Sequence, residues 1–278
     1  MLQIKVGVHL PSLRLPLAKG IALAAKLGAD AVEIDARTQL KPSELSQTAR
    51  RQLRKLLDDY RLKVCAISFP TRRGYDDTNE IDARVAGTKE AMRMAEALGS
   101  SFVVNHVGRI PTAAESSDTG ERDPLASLSS SAQIQPWQLL VQVLSDLGRH
   151  GQHTGALLLA ETGVTGGSDL ARLLAALPEG TLGIDFDPGQ LVAHGFDPVE
   201  TIEQLGSHIM HVHATDAGRN AGGGQAAEVP LGRGSVDFPA IFAALEERGY
   251  RGYFTIRRQA ARDPEFEMGQ AVQYLRNI

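Results

Sequence analysis

The chain has 278 residues, 42% of them hydrophobic and 22% charged, which is the composition of a globular protein with a large core and excludes a disordered or collagen-like chain. Lys plus Arg number 29 against 33 Asp plus Glu, a formal charge of −4, so there is no basic excess to hold a nucleic acid or an anionic membrane. The one cysteine, Cys65, has no partner for an internal disulfide, the start MLQIKVGV lacks a signal-peptide pattern, and no apolar run approaches the roughly 20 residues of a membrane span. A cytoplasmic protein with no nucleic-acid and no membrane partner is expected.

Short apolar or β-branched runs, each followed by helical periodicity, predict eight strands starting near Ile4, Ala31, Lys63, Ser101, Ala156, Leu182, Ile209 and Gly252. Most intervals between them suit one strand, one helix and two short loops, which need about 25 to 30 residues. The first strand runs into His9-Leu-Pro-Ser with no glycine-rich phosphate turn, unlike a dinucleotide-binding sheet. Gly28 and Gly99 each stand just past a helical stretch and just before a strand, where a helix stop belongs. The rhythm predicts an α/β chain folded as a single (β/α)8 TIM barrel, one domain over residues 1–278. Two intervals are padded, by Arg109 to Gln135 after the fourth strand and by Asp216 to Gly234 after the seventh. Both insertions are expected on the end of the barrel where active sites form.

The fifth, sixth and seventh predicted strands end alike, in Leu157-Leu-Leu-Ala-Glu161, Gly183-Ile-Asp-Phe-Asp187 and Ile209-Met-His-Val-His213. Glu161, Asp187 and His213 follow one another at intervals of 26 residues, so adjacent strands bring two carboxylates and an imidazole to one level. Such a mixed oxygen and nitrogen set suits Mn, Zn, Co or Mg, with water completing the shell. Side chains alternate along a strand, which puts Asp185 and His211 on the same inward face one step deeper, either supporting the upper ligands or closing a core hydrogen bond. His106, ending the fourth strand, and His211 are candidate substrate contacts. Glu33 and His9 share the status of His106, a substrate contact or, more often for such a residue, a satisfied structural group; Cys65 reads as a buried inert thiol and Arg233 as loop architecture.

The segments Leu27-Gly-Ala-Asp-Ala-Val-Glu-Ile, Leu159-Ala-Glu-Thr, Ile184-Asp-Phe-Asp-Pro-Gly-Gln, His211-Val-His-Ala-Thr-Asp, Pro230-Leu-Gly-Arg-Gly-Ser-Val-Asp-Phe and Gly249-Tyr-Arg-Gly-Tyr-Phe-Thr-Ile carry a resemblance over nearly the whole chain. In that order they resemble the xylose isomerase-like TIM barrel superfamily, in its sugar phosphate isomerase/epimerase branch. The resemblance implies a divalent metal held by Glu, Asp, His and Glu at the ends of the last four strands. The first three fall on Glu161, Asp187 and His213; the fourth falls on Arg257, a reversal of charge, and Gln190 stands where the family carries a histidine. The family's epimerases use the two glutamates as paired acid and base, so Arg257 leaves Glu161 as the one candidate base. A guanidinium that stays protonated can instead hold an oxyanion, phosphate or carboxylate, or pair with the two carboxylates in place of the metal.

The expected activity is that of a sugar or sugar-phosphate isomerase or epimerase acting through a metal-stabilised enediolate. Glu161 and Arg257 are its catalytic candidates, His106, Arg257 and His211 its substrate contacts, and Glu161, Asp187 and His213 the ligands of a divalent metal bound weakly or not at all. The alternative is a non-catalytic or metal-free carbohydrate-binding barrel. A DNA-repair endonuclease, also known in the superfamily on a three-metal cluster, needs ligands that the third strand, Val64-Cys-Ala-Ile-Ser-Phe-Pro, does not offer. The expected partner is a small sugar or sugar phosphate, with self-association into a homo-oligomer left open.

Overall fold

Parallel strands joined by helices close into a ring because each strand buries one face against the helices and the other in the barrel interior. The computed structural model describes residues 4–111, 135–218 and 226–278. In chain order its strands are β1 (Lys5–His9), β2 (Ala31–Asp35), β3 (Lys63–Ser68), β4 (Phe102–Asn105), β5 (Leu157–Glu161), β6 (Gly183–Phe186), β7 (Ile209–Ala214), β8 (Asp216–Gly218), β9 (Ala227–Val229) and β10 (Tyr253–Ile256). The α-helices are α1 (Leu17–Lys26), α2 (Gln47–Asp59), α3 (Ile81–Ala97), α4 (Pro136–Thr154), α5 (Gly167–Ala176), α6 (Pro188–Ala193), α7 (Pro198–Leu205), α8 (Phe238–Glu247) and α9 (Pro264–Arg276).

Eight strands form a closed parallel barrel in the order β1, β10, β7, β6, β5, β4, β3, β2. Each starts within one residue of its predicted start. Closure joins the two ends of the chain, with Val6 opposite Phe254 and Val8 opposite Ile256. The short strands β8 and β9 form a separate antiparallel ribbon just after β7, with Asp216 opposite Val229. This ribbon lies within the insertion expected after the seventh strand, of which 219–225 fall outside the described residues. The insertion expected after the fourth strand falls outside them over 112–134.

Local chemistry starts and stops the helices, and two of the stops are the glycines that the sequence marked. Asp187, Asp197, Asp237 and Asp263 each accept a backbone N–H from the first turn of the helix that follows, and a proline follows each of them or its next residue. Gly28 (φ +90°) and Gly99 (φ +79°) take the left-handed conformation that ends α1 and α3 and turns the chain into the next strand. Leu53 and Leu57 of α2, one turn apart, are buried in the layer between helices and barrel, where Val6, Val8, Ile184, Phe186, Val212 and Phe254 also point.

The opposite face of the strands divides the barrel interior in two. Ala66, Val104 and Leu159, with Phe102, Leu157 and Met210 packed on them, make an apolar plug. The rest is polar: Glu33, Asp185, His211, His213 and Thr255 are all at most 1% exposed. A side chain at Gly7 would strike Thr255, so glycine on β1 makes room for that hydroxyl. No helix among the described residues is long and apolar enough to cross a membrane.

Candidate functional site

A cavity of about 230 Å³ opens among the strand ends, lined by His9, Asp35, His106, Glu161, His213 and Arg257 together with smaller polar residues. Four of the site candidates read from the sequence, His106, Glu161, His213 and Arg257, thus share one cavity wall. His211 does not line it, and Asp187 lies behind it as the N-cap of α6.

Arg257 follows β10 and turns inward. Its Nη2 lies 2.5 Å from Oδ2 of Asp187 and also contacts Oε1 of Glu161, so one nitrogen bridges the ends of β5 and β6. The remaining oxygen of Asp187 accepts the N–H of Gln190 at 2.9 Å and the hydroxyl of Thr215. Its backbone N–H donates to Thr162 Oγ1 at 2.8 Å. Gln190 therefore takes part through its backbone in the turn that caps α6. Burial pushes the Asp187 carboxyl above its ordinary range, and Arg257 offsets this only in part. Burial works against the Arg257 charge too, but Glu161 and Asp187 outweigh it and hold the guanidinium protonated.

His213 belongs to a second, deeper cluster. Its Nε2 donates to Glu33 Oε2 at 2.8 Å, and its Nδ1 stands 2.6 Å from Asp185 Oδ2 as an ion pair lacking hydrogen-bond geometry. Burial alone would strip its proton, but Asp185 and Glu33 more than reverse that and raise it well above an ordinary imidazole. Burial would likewise raise both carboxyls; His213 instead holds Glu33 below the usual carboxylate range and, with His211, brings Asp185 to about 2. Two buried carboxylates thus share one imidazolium.

His211 lies beside them, Nδ1 donating to Asp185 Oδ1 at 2.7 Å and Nε2 2.8 Å from Thr255 Oγ1. The pairing of Asp185 with His211 follows the strand parity. Less visible in the sequence is Glu33, which reaches from β2 across the interior to β7. Its position on the inward face of β2 is a signal, but nothing local names the partner. His9 contacts Ser12 Oγ through Nδ1 at 2.8 Å and is lowered to about 3, burial being the main cause. His106 donates through Nε2 to the Thr71 carbonyl, leaving its other face to the cavity wall.

Among the described residues, two groups of side chains have the donor atoms and spacing to hold a metal ion: Glu33, His211 and His213, and Glu161, Asp185 and His213, each set within 4.8 Å. The sequence-derived trio of Glu161, Asp187 and His213 is arranged otherwise. Arg257 takes the facing oxygens of the first two, and His213 directs both nitrogens to Asp185 and Glu33. A divalent ion seated between Glu161 and Asp187 would have to displace a guanidinium of like sign, so those two residues as arranged do not fit a metal.

Comparison with known proteins agrees with the fold. A family model described as xylose isomerase-like TIM barrel matches residues 21–278. An inosose dehydratase of Clostridium botulinum (strain Alaska E43 / Type E3) is 32% identical over 149 residues, 46% of this chain and 48% of that protein. The chain spans about half the length of the curated relatives it matches. A xylose isomerase domain protein from Planctomyces limnophilus superposes with a TM-score of 0.79 at 22% identity, covering 99% of this chain and 96% of the other. A xylose isomerase-like TIM barrel protein from Mycobacterium smegmatis in complex with magnesium does so with a TM-score of 0.72 at 19% identity, covering 99% and 95%. Other neighbours are named as sugar epimerases or their likenesses. The chain belongs to the xylose isomerase-like TIM barrel family.

Proposed function

We propose that this member of the xylose isomerase-like TIM barrel family binds a monosaccharide or cyclic polyol ketone at the barrel mouth, with the Arg257 guanidinium standing where a divalent metal would act. The observation that carries the reading is the bridge from Arg257 to Glu161 and Asp187, which puts a permanent cation on the cavity wall. The cavity, at about 230 Å³, lies below the roughly 300 Å³ at which drug-sized pockets begin, a size for one sugar ring. Its wall offers imidazole, carboxylate, amide and hydroxyl groups, among them a Ser68 hydroxyl with no partner, and this suits a molecule made mostly of hydroxyls. Arg257 is already matched by two carboxylates, which favours an unphosphorylated sugar over a sugar phosphate.

Isomerisation of a ketose and dehydration of a cyclic polyol ketone share a first step, removal of a proton from the carbon beside the carbonyl. In this reading Glu161, the carboxylate beside Arg257 on the cavity wall, takes that proton. The other wall carboxylate, Asp35, has Oδ1 committed to the backbone N–H groups of Arg37 and Thr38. The charge that develops on the carbonyl oxygen then falls to Arg257. The relationship to inosose dehydratases supports a carbonyl-bearing polyol as the substrate class.

A metal-dependent reading rests on the spacing of Glu161, Asp185 and His213. If an ion entered there, those three would hold it, and it would supply the polarisation of the carbonyl assigned above to Arg257. Saturation-transfer NMR with a panel of ketoses, aldoses and inososes in excess EDTA separates the two. Binding that persists in EDTA and is lost in Arg257→Ala supports the guanidinium; binding that needs added Mn²⁺ refutes it.

A further inference from the structure

The donors in the polar half of the barrel interior have an order that hydrogen bonding alone does not require. His211 donates Nδ1 to Asp185 Oδ1 at 2.7 Å, and His213 sets Nδ1 2.6 Å from the other oxygen of the same carboxylate as an ion pair. With Nδ1 beside Asp185, both rings turn Nε2 toward Glu33, at 4.0 Å from His211 and 2.8 Å from His213. His9, whose Nδ1 contacts Ser12, likewise turns Nε2 toward the other oxygen of Glu33 at 4.0 Å. That oxygen, Oε1, is fully buried and has no hydrogen-bond partner. A histidine whose far nitrogen is fixed by an outer carboxylate while the near one faces a second carboxylate is the arrangement that orients imidazoles on a metal.

We infer that Glu33, His211 and His213 form a divalent-cation site of zinc type inside the barrel, one layer below the mouth, with Asp185 orienting both histidines from outside. Two donors about 2.1 Å from one tetrahedral ion stand about 3.4 Å apart. The separations of 2.8 and 4.0 Å from Glu33 Oε2 fall on either side of that value, each within about 0.6 Å of it, so small side-chain shifts would seat the ion. The Thr255 hydroxyl that faces His211 has an alternative partner in Cys65 Sγ at 3.3 Å, so it can yield the imidazole lone pair. His9 lies on the cavity side of Glu33 and marks the way in.

Charge favours the same place. On binding, the ion replaces the Nε2 proton of His213, which leaves to solvent, and the two buried carboxylates are then matched by two positive charges instead of one. The competing set through Glu161 lies against Arg257, which repels a cation. The site needs nothing from the proposed sugar chemistry, and its ion holds the barrel floor rather than the substrate.

Equilibrium dialysis of the intact chain against Co²⁺, followed by visible absorption and far-UV circular dichroism, tests this. One Co²⁺ per folded chain is expected, with affinity falling at least tenfold in Glu33→Gln and in His211→Asn, and by less than twofold in Glu161→Gln. No stoichiometric binding by the folded native chain would overturn the inference, as would binding lost in Glu161→Gln but kept in Glu33→Gln. A measurement on the native sequence guards against a variant that does not fold. Zn²⁺ should move the imidazole ¹⁵N resonances of His211 and His213 at Nε2, whereas coordination through His213 Nδ1 would place the ion on the mouth side and refute the assignment.

Discussion

A single nitrogen of Arg257 lies 2.5 Å from Oδ2 of Asp187, the buried cap of α6, while also contacting Glu161, so one guanidinium ties together the ends of β5, β6 and β10. Breaking a buried pair by deleting one partner costs about 3–5 kcal/mol, because the other charge is left uncompensated. Arg257→Ala should therefore lower the thermal midpoint clearly, and the double variant Arg257→Ala with Asp187→Asn should recover part of the loss. Melting curves followed by circular dichroism check this; an unchanged midpoint in Arg257→Ala would mean the bridge does not hold the mouth together.

Replacing the cation by a carboxylate should change what the mouth attracts. Arg257→Glu is expected to add one equivalent of Mn²⁺ to whatever the native chain binds, through Glu161, Asp187 and the new side chain. Titration calorimetry reads the extra equivalent, which should vanish when Glu161→Ala is combined with it. Equal stoichiometry in the native chain and Arg257→Glu would count against the charge argument.

The loop after β7 hangs on Asp216, whose carboxylate accepts the N–H groups of Gly232, Gly234 and Val236. Hydrogen bonds to a charged group contribute about 1.5–3 kcal/mol each and do not add fully, so Asp216→Ala should cost about 3 kcal/mol. Denaturant titration measures the loss. Hydrogen exchange should show it first at Gly232, Gly234 and Val236, and exchange rates unaltered there would contradict the assignment.

Burial, reinforced by Glu33, pushes the Cys65 thiol up to about 12. A thiolate is the reactive species, so a thiol pKa raised in the folded chain lowers reactivity at every pH below it. At pH 8 the folded chain should react with a disulfide reagent far more slowly than the unfolded chain, whose thiol ionises near its ordinary pKa of about 8.5. Fast labelling without denaturant would show that the interior around Thr255 opens.

Much of the barrel was legible because its signals are local. Gly28 and Gly99 mark helix ends by their backbone geometry, and strand parity put Asp185, His211 and His213 on inward faces, whereas Asp187 lies past the end of β6 as a helix cap. The contact between Asp185 and His211 follows from that parity, since β6 and β7 are neighbours. Glu33 with His213 was not legible: β2 and β7 meet only across the interior, with β1 and β10 between them in the ring, and no spacing along the chain encodes that reach. Arg257 showed its charge in the sequence, but its grip on both carboxylates depends on how far a long side chain turns back over the mouth.

Solvent-deuterium exchange into a bound sugar or inosose tests the central claim most directly, because it reports proton removal at the carbon beside the carbonyl whether or not product forms. With a ligand identified by NMR and the protein kept in EDTA, the chain is expected to wash deuterium into that position. The exchange should fall at least a hundredfold in Glu161→Gln and in Arg257→Ala, a loss of about 2.7 kcal/mol in transition-state stabilisation. Exchange abolished by EDTA and restored by Mn²⁺, or exchange that survives Arg257→Ala, would contradict the account of Arg257 as the cation of the mouth.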